Sequence, residues 1–399
     1  MRTSIKDLLK NLLFSFCSYA LPLAVLQFIV QPIIANILGP ELNGQFLTLM
    51  SINYFLIGIT ASVLNTVRML QHNEYKEKNY IGDFNIFFII YTVFFTVAMP
   101  ISFIFYTGRF DFIDILLYVF IGLLYLYHDY IFSQYRIELK YNKILINNII
   151  IVLGYFIGLP LFLVTKRWQL IIITAYFLSG VYDLFNTTFL REPIKKTPLF
   201  TETRKKVVIY TLSHALSSFI TYCDKLILYP ILGGTLVSIY YTASMIGKLL
   251  MLMSSPLNSV LMGYLINIDD KKFRIKPKMV LIIASVCVVA YMGCLIVGYP
   301  IIDFLYPDWA LESQKYLPLT VLGSLFGLIV HLINTIAIRF LDASLQIKLQ
   351  LINLIFYLVV SLVLLHFFSL WGFCLGIVCS NIFRLIVLII LIRKHFAKK

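Results

Sequence analysis

Twelve stretches of this chain are each about as long and as apolar as a helix must be to cross a membrane, and that feature removes most other folds. A hydrocarbon core roughly 30 Å thick takes about 20 residues in helical form. That ruler marks residues 12–37, 45–68, 84–107, 112–134, 144–165, 169–190, 207–232, 236–265, 279–304, 317–340, 350–368 and 371–393. In lipid, backbone polar groups have to be satisfied inside the spanning element, which leaves helices or closed barrels, and runs of this length are helices. A hydrophobic share of 60% and a mean hydropathy of +0.89 are also more than one soluble core can hide. The expectation is an all-α polytopic membrane protein.

Charge gives the orientation. A net charge of +14 would suggest nucleic acid in a soluble protein. Here the basic residues sit in the short connections and sort by side, so no nucleic acid is expected. Arg2, Lys6 and Lys10 precede the first span, Arg68, Lys76 and Lys78 follow the second, and Arg191, Lys195, Lys196, Arg204, Lys205 and Lys206 follow the sixth. The opposite side carries only four, Arg109, Lys166, Arg167 and Lys315. By the positive-inside rule both termini face the cytoplasm. The basic start followed by an apolar run imitates a signal peptide, but the run has no small-residue cleavage site and reads as a retained first span. All six cysteines lie within apolar segments and none forms a CxxC, so neither a disulfide nor a metal site is expected.

The basic stretch from Arg191 to Lys206 reads as a linker between two six-helix lobes, 1–202 and 203–399. A short internal repeat supports the division: Ser18-Tyr19-Ala20-Leu21 recurs as Ser213-His214-Ala215-Leu216, and Ile37-Leu38-Gly39 as Ile231-Leu232-Gly233. Six spans per half make the repeats parallel, which places a cavity between the lobes.

The most informative segment is the hairpin 208–265, which carries ionisable groups where a span should have none. Thr211, His214, Ser217, Ser218, Thr221, Asp224 and Lys225 share one helical face of its first arm. A Gly233-Gly234-Thr235 turn is expected next. On the second arm Tyr241, Ser244, Lys248, Met251, Ser255 and Asn258 form a similar stripe. An ionisable group near the bilayer centre costs roughly 2.5–3.5 kcal/mol on insertion scales, so it persists where it is paired or wet. Lys225 lies about 12 Å from the outer end of its helix, and Lys248 and Arg384 roughly 20 Å, at the helical rise. These three cations form a candidate ladder for an anionic substrate, Asp224 being a balancing charge or an ion ligand. The competing reading is snorkelling of the long side chains to the interface. Asp129, with His128 and Ser133, and Asp183, with Asn186, are candidates for ion coupling. The alternative for both aspartates is a structural hydrogen bond between helices. Arg68 and Arg339 end their spans on the cytoplasmic side, where a topological role suffices.

Leu38-Gly39-Pro40-Glu41-Leu42-Asn43-Gly44-Gln45-Phe46 resembles the first outer loop of the O-antigen and capsular polysaccharide flippases, the Wzx-type members of the multidrug/oligosaccharidyl-lipid/polysaccharide exporter superfamily. Asp224-Lys225-Leu226-Ile227 followed by Leu232-Gly233 resembles that family's seventh helix and turn, and Ser238 departs from it where a glycine is expected. The resemblance implies a V-shaped, MATE-like pair of six-helix bundles in the bacterial inner membrane. The implied function is flipping an undecaprenyl-diphosphate-linked oligosaccharide from the cytoplasmic to the periplasmic leaflet, without a cofactor other than an H+ or Na+ gradient. A polysaccharide polymerase and a chain-length regulator are the implied partners.

Two other classes compete. A membrane-embedded polymerase or acyltransferase also has many spans, but such polymerases usually carry a long outer loop, absent here, and no nucleophile–base pair is visible. A drug/cation antiporter of the same superfamily is expected to place acidic groups in its cavity, whereas this second lobe sets three cations against Asp224. Lipid II flippases generally have fourteen spans.

Overall fold

The computed structural model describes residues 20–252, 254, 257, 258, 261, 277–340 and 343–397, excluding the side chains of 252, 277–284, 338–340, 343, 344, 346, 347 and 395–397. Arg2, Lys6, Lys10, Cys17, Ser255, Pro256, Lys271, Lys272, Arg274 and Lys276 lie outside the described residues, as does the Arg339 side chain.

The helices are α1 (Gln31–Ile59), α2 (Ala61–Glu77), α3 (Asp83–Thr107), α4 (Phe112–Ile137), α5 (Tyr141–Thr165), α6 (Gln169–Asn186), α7 (Phe200–Leu252), α8 (Pro277–Leu305), α9 (Ala310–Phe340) and α10 (Ala343–Ala397). No strand occurs among the described residues. Among the described residues eight helical stretches are long and apolar enough to cross a membrane. Three of them, Ala20–Glu77, Phe200–Met251 and Lys348–Lys394, are broken by non-helical backbone at Gly39, Gly233 and Ser369. Each break divides its stretch into two arms, and with the 18 residues of α6 the described helices fit a chain of about twelve spans.

Two of the breaks are alike. Gly39 has φ 79° and ψ 170°, and Gly233 has φ 80° and ψ 175°. This backbone region is open essentially to glycine alone, because a Cβ would collide with the chain's own carbonyl oxygens. Both glycines stand in the Ile-Leu-Gly copies of the internal repeat, so the repeated letters carry a repeated change of direction. The expected turn over Gly233-Gly234-Thr235 is therefore tighter than the sequence suggests: one residue redirects the chain and the helix resumes. After Gly39 it resumes at Pro40, whose missing N–H costs nothing in a first turn. Before Pro32 the helix widens into a π turn over Leu26–Val30, consistent with a proline that offers no N–H to the carbonyl four residues back.

The second span also runs further than its apolar stretch. It reaches Glu77 because the extension still buries one face, Val67, Gln71 and Tyr75, and because the Tyr75 hydroxyl joins Asp83 and Thr203, each at 2.7 Å. In the α5–α6 hairpin Gly154 and Gly158 face the backbone of Ala175 and Ile171 so closely that an added Cβ would clash. Small residues allow this approach, and packing and hydrogen bonds replace the hydrophobic drive that lipid cannot supply.

Packing separates the chain into two compact units, residues 1–231 and 232–399. The first has a core in which Val63, Leu64, Val67, Phe87, Tyr130, Ile131 and Ile144 meet Leu199 and Val207. The first arm of α7 thus packs with the helices that precede it. In the second unit Val330, Ala337, Leu388 and Ile392 knit α9 to α10. None of the five described cysteines forms a disulfide among the described residues.

Candidate functional site

Asp224 and Lys225 sit side by side on the first arm of α7, 6% and 7% exposed. Neighbours on a helix point about 100° apart, so pairing between them is not required by the sequence. It occurs nonetheless: Asp224 Oδ1 accepts the Lys225 backbone N–H at 2.8 Å and lies 3.5 Å from Lys225 Nζ. The same arm is held by α3, where the Tyr106 hydroxyl donates to the Leu226 carbonyl at 3.2 Å, and by α1, where Gln45 donates to the Tyr229 hydroxyl at 3.4 Å. Its hydroxyl stripe divides. Ser218 packs against Gly58, while Ser217 and Thr221 are exposed and bond back to the carbonyls of Ser213 and Ser217.

Lys248 and Arg384 belong to the second unit and have separate surroundings. Lys248 Nζ lies over the rings of Tyr240 at 5.5 Å and Tyr241 at 5.8 Å, within cation–π range. Arg384 lines a cavity of about 10 Å³ with Asn334, Gln350 and Asn353, room for about one water. Ser255 lies outside the described residues, and packing takes up Met251, Asn258 and the neighbouring Gly247. Gly247 rests on Ser324, Met251 touches Gly327, and Asn258 accepts from Thr335 at 2.8 Å.

Two aspartates of the first unit, Asp129 and Asp183, find partners other than their sequence neighbours. Asp129 accepts from Ser62 at 2.8 Å, and its carbonyl accepts from Asn65 at 2.6 Å. His128 turns away from it to Asn147, 3.3 Å off. Asn147 donates to Asp183 Oδ1 at 2.7 Å, Tyr135 donates to the same oxygen at 2.8 Å, and Ser179 donates to Asn147 at 2.8 Å. Asp183 is fully buried, and its Oδ2 has no hydrogen-bond partner among the described residues. Among the described residues no side-chain hydrogen bond joins Asp129 to His128 or Ser133, or Asp183 to Asn186. Ser133 donates to the Tyr130 carbonyl, and Asn186 accepts from Lys143. A polar side chain inside an apolar run was the available signal for Asn147, and its link to His128 comes from helix packing.

A tyrosine cluster adjoins this network. The Tyr54 and Tyr125 hydroxyls are 3.4 Å apart, the Tyr125 and Tyr176 rings 3.9 Å, and the Tyr54 and Tyr222 rings 5.8 Å.

Arg68 does more than end a span. Its guanidinium is ion-paired with Glu192, donates to the Tyr130 hydroxyl at 2.7 Å and stacks on Phe189 with 3.2 Å to the ring centre. Burial pushes the Glu192 carboxyl above the usual carboxylate range, against the pull of Arg68. Desolvation outweighs attraction in this pair, as is common for charges taken out of water.

Long helices broken without loops, an ion pair inside a span and a buried carboxyl network belong to a polytopic helical membrane protein, and the fold is MATE-like. The chain is similar to an inward-facing multidrug resistance MATE family transporter of the MOP superfamily, with TM-score 0.69 and 13% identity over 96% of this chain and 98% of that one. It is also similar to the lipid II flippase MurJ in an inward closed conformation, with TM-score 0.71 and 15% identity over 97% and 89%. No protein-family model matches the chain, and no curated protein matches it in sequence.

Proposed function

We propose that this protein is a flippase that carries an undecaprenyl-diphosphate-linked oligosaccharide, an O-antigen or capsule repeat unit, from the cytoplasmic to the periplasmic leaflet by alternating access. The observation that carries the reading is the retention of Asp224, Lys225, Lys248 and Arg384 inside apolar spans of a fold shared with a lipid II flippase. A diphosphate suits such cations: arginine grips phosphate oxygens in a bidentate manner and lysine acts as a movable point charge. Lobes 1–202 and 203–399 are the moving bodies of this proposal. Both termini lie in the cytoplasm of a bacterial inner-membrane protein, with a polysaccharide polymerase and a chain-length regulator acting on the product.

Transport against a gradient needs a source of free energy; an H+ or Na+ gradient is the proposed one, with Asp183 and Asp129 as the coupling groups. Asp183 is the better placed, since one carboxyl oxygen is fixed by two donors while the other has no partner among the described residues.

The test is deletion of the gene followed by complementation. Loss of surface polysaccharide with build-up of its lipid-linked unit inside the cell supports the reading, as does failure of Lys248→Ala or Arg384→Ala to restore polysaccharide while still inserting. Unchanged polysaccharide in the deletion strain refutes it. The likeness to a multidrug resistance transporter favours a drug/cation antiporter as the second reading, marked by raised drug susceptibility on deletion with polysaccharide intact.

A further inference from the structure

At the end of α2 that the basic residues mark as cytoplasmic, a cavity of about 260 Å³ opens beside the pair formed by Arg68 and Glu192. Its wall is one helical face. Arg68, His72 and Lys76 follow at intervals of four, three successive turns pointing the same way. Asn79 and Tyr80 close one end, and Phe189 and Glu192 arrive from the segment joining α6 to α7. Lys76 is exposed and makes no ion pair among the described residues, and His72 is half-buried.

That joining segment is fastened to the first unit around the cavity. Asn85 donates to the carbonyls of Phe189 and Glu192, both at 2.9 Å, and is itself held by the Tyr130 hydroxyl at 2.6 Å. Asp83 accepts the Thr197 backbone N–H at 2.7 Å and the Thr197 hydroxyl at 2.5 Å. Gly82, with φ 116°, lies so close to the backbone of Pro193 and Lys195 that no Cβ fits. The side-chain end of this strap is Glu192, the one acidic group among the described residues lining the cavity, and burial already penalises its charge.

We propose that this cavity binds a phosphate group, which competes with Glu192 for Arg68 and loosens the strap. A phosphate group, whether the monoanionic diester of a lipid or the free ion, suits the site better than the single carboxylate. It can face Arg68, His72 and Lys76 together, and it draws on the planar guanidinium that phosphate oxygens match. Exposed Ile81 lines the cavity as well, and the acyl chains of a lipid of the anionic cytoplasmic leaflet would run beside it. A lipid headgroup and a free phosphate share this chemistry, and the experiment separates them. The proposal is independent of the transported substrate.

The full-length protein is placed in nanodiscs of phosphatidylcholine or of phosphatidylglycerol, and the phosphatidylcholine sample is also titrated with inorganic phosphate. Thermal unfolding and trypsin cleavage after Arg191, Lys195 and Lys196 are followed. A headgroup ligand raises the unfolding midpoint and speeds cleavage in phosphatidylglycerol, and a free anion does so on phosphate titration. In either case the double variant His72→Ala/Lys76→Ala binds on the order of tenfold more weakly, as expected for losing hydrogen bonds to a charged ligand. Glu192→Gln responds at lower ligand concentration than the wild type, because the competing carboxylate is gone. Absence of any response in the wild type overturns the proposal. So does a response of equal size in the double variant, which marks nonspecific attraction to a basic protein.

Discussion

Gly39→Asn tests whether the break in the first long helix is a conformational demand of the backbone or an accident of composition. An added Cβ at Gly39 meets nothing within 4 Å, so no steric neighbour enters the result. The cost is then the strain of holding an L-residue at φ 79° and ψ 170°, about 1–3 kcal/mol, or about a 5- to 150-fold fall in the ratio of folded to unfolded protein. Gly108, after α3, is the control. Its φ of 63° and ψ of 11° are left-handed helical, and its Cβ space is likewise open. Asparagine tolerates that region, so Gly108→Asn is expected to cost below about 1 kcal/mol. The assay is the fraction of detergent-purified protein that stays monodisperse after a temperature ramp, read by fluorescence-detected size exclusion. Gly39→Asn and Gly39→Ala should both melt clearly below Gly108→Asn. If Gly39→Asn and Gly108→Asn prove indistinguishable, the glycine-only break is refuted, and the matching account of Gly233 falls with it.

Three further outcomes follow from packing and charge. Gly154→Ala forces α5 away from the Ala175 backbone and should lower stability by about 1–3 kcal/mol, measured as resistance to denaturant; an unchanged midpoint would mean the hairpin is not close-packed there. Tyr135→Phe removes one of the two donors to Asp183 Oδ1 and should lose about 1–3 kcal/mol in the same assay, whereas no loss would exclude that hydrogen bond. Glu192 is the pH-dependent case. Its folded pKa is raised by burial, with Arg68 opposing, so the stability it contributes is complete below the unfolded carboxylate range and declines as pH rises through the folded value. The advantage of wild type over Glu192→Gln should therefore shrink between acidic and neutral pH, and an advantage that grows with pH would contradict the assignment.

The positions of the spans were legible in the letters because hydropathy is a local sum: an apolar run of about 20 residues has few places to go other than a bilayer. The repeated Ile-Leu-Gly was legible for a similar reason, since only glycine enters the backbone region found at both breaks. Partnership was not legible. His128 and Asp129 are neighbours in the chain, yet one faces Asn147 and the other Ser62. Arg68 read as a topological charge, and its carboxylate lies 124 residues away on a segment that looked like a plain basic linker.

Sequence by itself determined an all-helical membrane chain with basic residues sorted to one side, two glycine-enforced breaks and charges inside the spans. Tertiary structure decided which polar groups meet: Asn147 and Tyr135 on Asp183, Glu192 on Arg68, Lys225 on its own neighbour. The physical reason is that hydrophobicity and helical period depend on residues within a turn or two. A hydrogen-bond partner is chosen by how far each helix rotates about its axis when its small residues let the next helix approach.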